Sequence, residues 1–136
     1  MIPRMSTQPS IFDKVKLRPA QLRTVADRRF ADAAYLRHSN QNQRANGVMY
    51  LAGFVVECLL KAALLERFPW LQSAGSPQGR SKNDQYLWLL TYRLHNLPNI
   101  LAHLPDVERR VEREAGPRLL QGLRSVCESW TIYARY

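Results

Sequence analysis

A chain of 136 residues with 46% hydrophobic content is one domain's worth, long enough for a real hydrophobic core. Twenty Lys and Arg against 11 acidic residues give a net charge of +9 and a pI near 10.2, which suits a polyanion or an acidic protein as partner. The two cysteines, Cys58 and Cys127, sit in no ligand spacing, which argues against a disulfide scaffold and marks them as small core residues.

Residues 1–18 mix Pro, Ser, Lys and Arg without periodicity and read as a flexible N-terminal arm. The opening MIPRMSTQPS has no apolar stretch of the kind a secretory signal needs, and the expected location is cytoplasmic. A single domain is expected over 19–136. Pro19 suits the first turn of a helix running to about His38, with Leu22, Val25, Ala26, Phe30, Ala33, Ala34 and Leu36 facing inward. Ser39–Gln43 is a polar connector. Residues 45–68 form one long, almost wholly apolar helix that ends before Pro69. Its length raises a membrane question, which Glu57 and Lys61 near its centre answer in favour of a soluble protein.

Residues 69–84 are rich in Pro, Gly, Ser and Asn and read as a mobile loop. The chain turns apolar again from Gln85. Asn96 then caps a short helix with Leu97, Ile100, Leu101 and Leu104 inward, and Pro105 starts a charged turn carrying Val107 and Val111. After Gly116-Pro117 the last helix places Leu119, Leu123, Val126, Trp130 and Tyr133 on one stripe, widened by Leu120, Cys127 and Ala134. No period-two pattern appears. The expected fold is all-α, an up-and-down helical bundle of about four to five helices.

Walker, GxGxxG, CxxC and HExxH motifs are all absent, and His38, His95 and His103 are too scattered for a metal site. What stands out is a polar line on the central helix: Gly53, Glu57 and Lys61, each four residues apart and so stacked on one face. On an apolar helix such a pair holds a buried partner, such as Arg135 or His95, or lines an interface; direct chemistry is the lesser expectation. Gly53 fits a close helix crossing. Arg93, His95 and Asn96 gather beside a helix start, where Arg and His together bind phosphate and move protons, or where His95 merely buttresses the helix. At the end of the chain, Arg135 and Tyr136 are the pair that could reach a partner.

The helix LAGFVVECLLKAALL, the segment HNLPNILAHL and the closing ARY, in this order and spacing, resemble the HEPN domain family (higher eukaryotes and prokaryotes nucleotide-binding) over roughly residues 22–136. The resemblance implies a helical bundle that commonly dimerises and a link to RNA or nucleotides. Many members are metal-independent ribonucleases of toxin–antitoxin or defence systems, often paired with a nucleotidyltransferase. Their signature, an Arg followed four to six residues later by His, is missing here. What carries over by position is Glu57, Lys61, His95, Asn96, Arg135 and Tyr136. Relatives often continue past the RY pair, so the end at Tyr136 suggests a shortened member or an apolar surface that another chain covers.

The expectation is therefore an RNA- or nucleotide-binding homodimer without cofactor or metal. If it cuts RNA, His95 would move the proton, Arg93 and Arg135 would hold the phosphate, and Glu57 with Lys61 would orient them. The alternative is a non-catalytic interaction module that partners a nucleotidyltransferase or another protein.

Overall fold

The computed structural model describes residues 16–38, 45–73 and 75–133. Among them there are six α-helices and no strand: α1 (Pro19–His38), α2 (Ala45–Arg67), α3 (Lys82–Tyr92), α4 (Leu97–Ala102), α5 (Pro105–Ala115) and α6 (Pro117–Tyr133). A single 3-10 turn, Pro69–Gln72, follows α2. The fold is an all-α bundle, with more helices than expected because Asn96 caps the start of one short helix and Pro105 begins the next. The expected arm lies outside the described residues up to position 15, as do the connector Ser39–Gln43 and the terminal Arg135 and Tyr136.

The bundle is organised on α2, which packs against α1, α3, α4, α6 and the 3-10 turn. Its deeply buried Leu60, Leu64 and Leu65 meet Leu71, Leu87, Leu90, Leu97 and Ile100 in one core. By length and composition Gly47–Arg67 is apolar enough to cross a membrane. Its two central charges, however, are folded inward against one another.

The helix ends follow local chemistry. Pro69 stops α2 and opens the 3-10 turn. The Ser81 hydroxyl caps α3 by accepting the Asp84 N–H at 3.2 Å. Gly116, at φ +91°, ends α5 in a conformation glycine adopts without strain, and Pro117 begins α6.

Three expectations change. First, the segment 69–84 is not simply a loop. Leu71 and Pro77 are buried, the Tyr92 hydroxyl donates to the Leu71 carbonyl at 2.6 Å, and the Arg80 guanidinium lies 3.7 Å from the Trp70 ring centre. Local turn residues marked the end of α2, but the segment is tied down by the stacking of Arg80 on Trp70 within it and by the Tyr92 hydroxyl from α3. Second, the inward stripe of α6 is Leu120, Leu123, Cys127 and Trp130, while Leu119 is exposed. The Tyr133 and Ala134 side chains fall outside the described residues. Both stripes have helical spacing, and only the packing of α6 against α5, α2 and α4 selects between them. Third, Phe30 of α1, expected to face inward, is exposed, as are Met49, Tyr50 and Leu59 on the apolar α2.

Gly53 shows why a helix interior tolerates glycine. A Cβ there would overlap Cδ1 of Trp130, which is itself buried. We expect Gly53→Ala to destabilise the fold by about 1–3 kcal/mol through overpacking, despite the better helix propensity of alanine. In a Trp130→Leu background the cost should vanish or reverse, as read by urea unfolding of the double-mutant cycle.

Cys58 and Cys127 are both buried and are not joined in a disulfide. Burial, aided by the charge of Glu57 near Cys58 and of Glu108 and Glu128 near Cys127, pushes both thiols up to about 11. Since the folded values are raised, the associated stability is complete below about pH 9 and is lost as pH rises toward 11. At pH 8 a disulfide reagent should label the native chain roughly a hundredfold more slowly than the unfolded chain. Equal rates would mean the thiols are not shielded.

Candidate functional site

The polar line on α2 works as three successive notches. Gly53 receives the indole of Trp130, whose Nε1–H donates to the Tyr50 carbonyl at 3.1 Å. One turn on, the Glu57 carboxylate is 3% exposed. One turn further, Lys61 Nζ reaches back to Glu57 Oε1 at 2.8 Å, its side chain 10% exposed. The same oxygen lies 2.6 Å from Nδ1 of His95. Thus Glu57 holds His95, one of the two partners expected for it; the other, Arg135, lies outside the described residues.

His95 is carried by the short connection between α3 and α4. The Leu94 N–H turns back to the Leu89 carbonyl at 2.8 Å and closes α3. The Asn96 side chain accepts the Asn99 N–H at 3.2 Å and caps α4. Between these two anchors the imidazole points its Nδ1 at Glu57, and its ring packs edge-on against Trp130, centroids 6.3 Å apart.

A carboxylate only accepts, so Nδ1 carries the hydrogen of this bond. In the neutral ring Nε2 is then the acceptor, and the side chain is 63% exposed. A buried carboxylate that fixes the tautomer of an exposed imidazole is an arrangement suited to proton transfer. The second oxygen, Glu57 Oε2, is buried and has no hydrogen-bond partner among the described residues.

The remaining site residues separate into different roles. Asn96 is a helix cap. Arg93 is half-buried, with its guanidinium carbon 5.4 Å from the ring centre of Trp88, and it forms no ion pair among the described residues. Its described contact is therefore with Trp88, and the expected convergence of Arg93 on His95 is not among the contacts. Tyr136 lies outside the described residues. Sequence reasoning missed Trp130 as the wall beside His95. The signal for it was Gly53, one turn before Glu57 on the same face, since a residue filling that notch must neighbour whatever Glu57 holds. Among the described residues, no group of three or more His, Cys, Asp or Glu is placed to hold a metal ion.

Comparison of the chain with protein-family models, curated proteins and solved structures gave no match.

Removing one member of a buried ion pair strands its partner. Lys61→Met should cost about 3 kcal/mol by urea unfolding. Adding Glu57→Leu should recover much of that loss, although His95 then loses its anchor. Single and double variants as stable as the native chain would show that the pair is not effectively buried.

Proposed function

We propose that this chain is a HEPN-like RNA- or nucleotide-binding domain in which His95 serves as the proton-transfer group of a metal-independent endoribonuclease. The observation that carries the reading is the Glu57–His95 pair: a buried carboxylate 2.6 Å from Nδ1 of an exposed imidazole. The net charge of +9 supports a polyanionic substrate. The family resemblance supplies the class of substrate.

In this reading Nε2 of His95 accepts the proton of an RNA 2′-hydroxyl. The 2′-oxygen attacks the adjacent phosphorus, the bond to the 5′-oxygen breaks, that oxygen takes a proton from water, and the imidazolium returns its own proton to solvent. The products are a 2′,3′-cyclic phosphate and a 5′-hydroxyl. Glu57 orients the ring and stabilises the imidazolium formed on it. Lys61 keeps the buried carboxylate compensated. Arg93 forms no salt bridge among the described residues, and in this reading its guanidinium leaves the Trp88 ring to hold phosphate.

A second reading, a non-catalytic binding module, is favoured by one observation. Among the described contacts only Lys61 brings a positive charge onto the Glu57–His95 pair, and Arg93 stacks toward Trp88 instead.

The test is incubation of the purified chain with a mixed RNA pool in the presence of chelator. We expect cleavage leaving cyclic phosphate ends, falling by about two to four orders of magnitude in His95→Ala. Cleavage undiminished in the variant would sink the role of His95. Salt-sensitive RNA binding without cleavage in the native chain would favour the binding module.

A further inference from the structure

Away from the Glu57 stripe, α2 presents a second pattern. Met49, Ala52, Val56, Leu59 and Ala63 follow one another at intervals of three, four, three and four residues. Met49, Ala52 and Leu59 are exposed, and Val56 and Ala63 are half-buried. Apolar residues at this 3.5 spacing form the seam along which one helix packs on another. From Met49 to Ala63 the seam is roughly 21 Å long, about four turns.

The seam opens beside α1 into a groove of about 470 Å³ lined by Ala34, Val48, Ala52 and Val56 among others. Phe30 lines it too and is 66% exposed. Large apolar side chains left in water over a contiguous face mark a docking surface. The ionisable residues lining the groove are Arg37 and His38, and no acidic residue lines it. Neither forms a salt bridge among the described residues.

The spacing asks for a helix, and the charge decides which one. A second copy would bring another molecule of charge +9 to this face. A helix with acidic flanks would instead set carboxylates against Arg37 and His38 while its apolar stripe filled the seam. We infer that the α1–α2 face is a docking groove for an amphipathic, acid-flanked helix of a partner protein. This inference stands without the His95 reading, because it uses none of the residues of that site.

The probe is a synthetic helical peptide with Leu at alternating three- and four-residue intervals and Glu on its flanks. A matched peptide carries Lys in place of Glu. Binding to the full chain is followed by fluorescence anisotropy, with circular dichroism as a check that each variant folds. The native chain should bind the acidic peptide at least tenfold more tightly than the basic one. Ala52→Trp, at an exposed position, should weaken that binding about tenfold or more by filling the groove. Arg37→Glu should reverse the preference between the two peptides. Equal binding of both peptides, or affinity unchanged in Ala52→Trp, would overturn the inference. So would a dimer seen by sedimentation that Ala52→Trp dissolves, which would assign the face to a second copy. Capture of the chain by phosphatidylcholine vesicles, lost in Ala52→Glu, would assign it to lipid and overturn the inference equally.

Discussion

One oxygen atom organises this molecule. Glu57 Oε1 accepts from a lysine one turn away on its own helix and from a histidine 38 residues later. A carboxylate taken out of water costs several kcal/mol unless charged or polar partners replace the lost hydration. Lys61 meets that need locally, within α2. His95 meets it from another part of the fold and thereby fixes the connection between α3 and α4 against the central helix. The Asn96 cap then sets where α4 begins, and α4 contributes Leu97, Ile100 and Leu101 to the core. A polar bond thus determines how an apolar layer is placed.

The same bond explains why His95 is the solvent-facing member of the group. Glu57 and Lys61 sit on a helix that the core surrounds on this side, and neither can reach outward without losing the other. The imidazole comes from a connection at the surface and needs only one nitrogen to satisfy the carboxylate. Trp130 adds the second constraint. It is seated by Gly53 and tied to the Tyr50 carbonyl, and it walls one side of the ring. The imidazole is therefore restrained by a hydrogen bond at one atom and a ring edge at another, while most of its surface remains in water. Preorganisation of this kind is what a proton-transfer group needs, because no part of the barrier is then spent on orienting the ring.

Much of this was legible in the residues. The four-residue intervals of Gly53, Glu57 and Lys61 placed them on one face, and the cost of a buried charge required a partner, for which His95 was one of two choices. The spans of α1 and α2 followed from Pro19, Pro69 and helical periodicity. What stayed hidden depended on neighbours rather than on local pattern. Leu119 and Leu120 both belong to apolar stripes of α6, and only the packing of that helix decides that Leu120 goes inward. Phe30 has the spacing of a core residue, yet the described residues leave most of it exposed. The segment 69–84 has the composition of a loop, but Arg80 stacked on Trp70 and the Tyr92 hydroxyl on the Leu71 carbonyl fasten it through contacts that composition cannot express. Arg93 and His95 are near in sequence, but Arg93 is the C-cap of α3 and His95 lies two residues beyond it on the connection, so one turns to Trp88 and the other to Glu57.

The two unusual features of α2 occupy different sides of one cylinder. Glu57 follows Val56 by one residue, which is about 100° of rotation, and the polar stripe and the apolar seam are set apart by about a third of a turn. A helix laid along Met49–Ala63 would cover Phe30 and Leu59 and leave the imidazole of His95 where it is. The constraint also runs through stability. Because α2 meets nearly every other element, a partner that binds its outer seam stabilises the native bundle by mass action, without touching the Glu57 site. A protein ligand on one side of α2 and a polyanion on the other are therefore compatible in space, and any coupling between them must pass through the rigidity of this one helix.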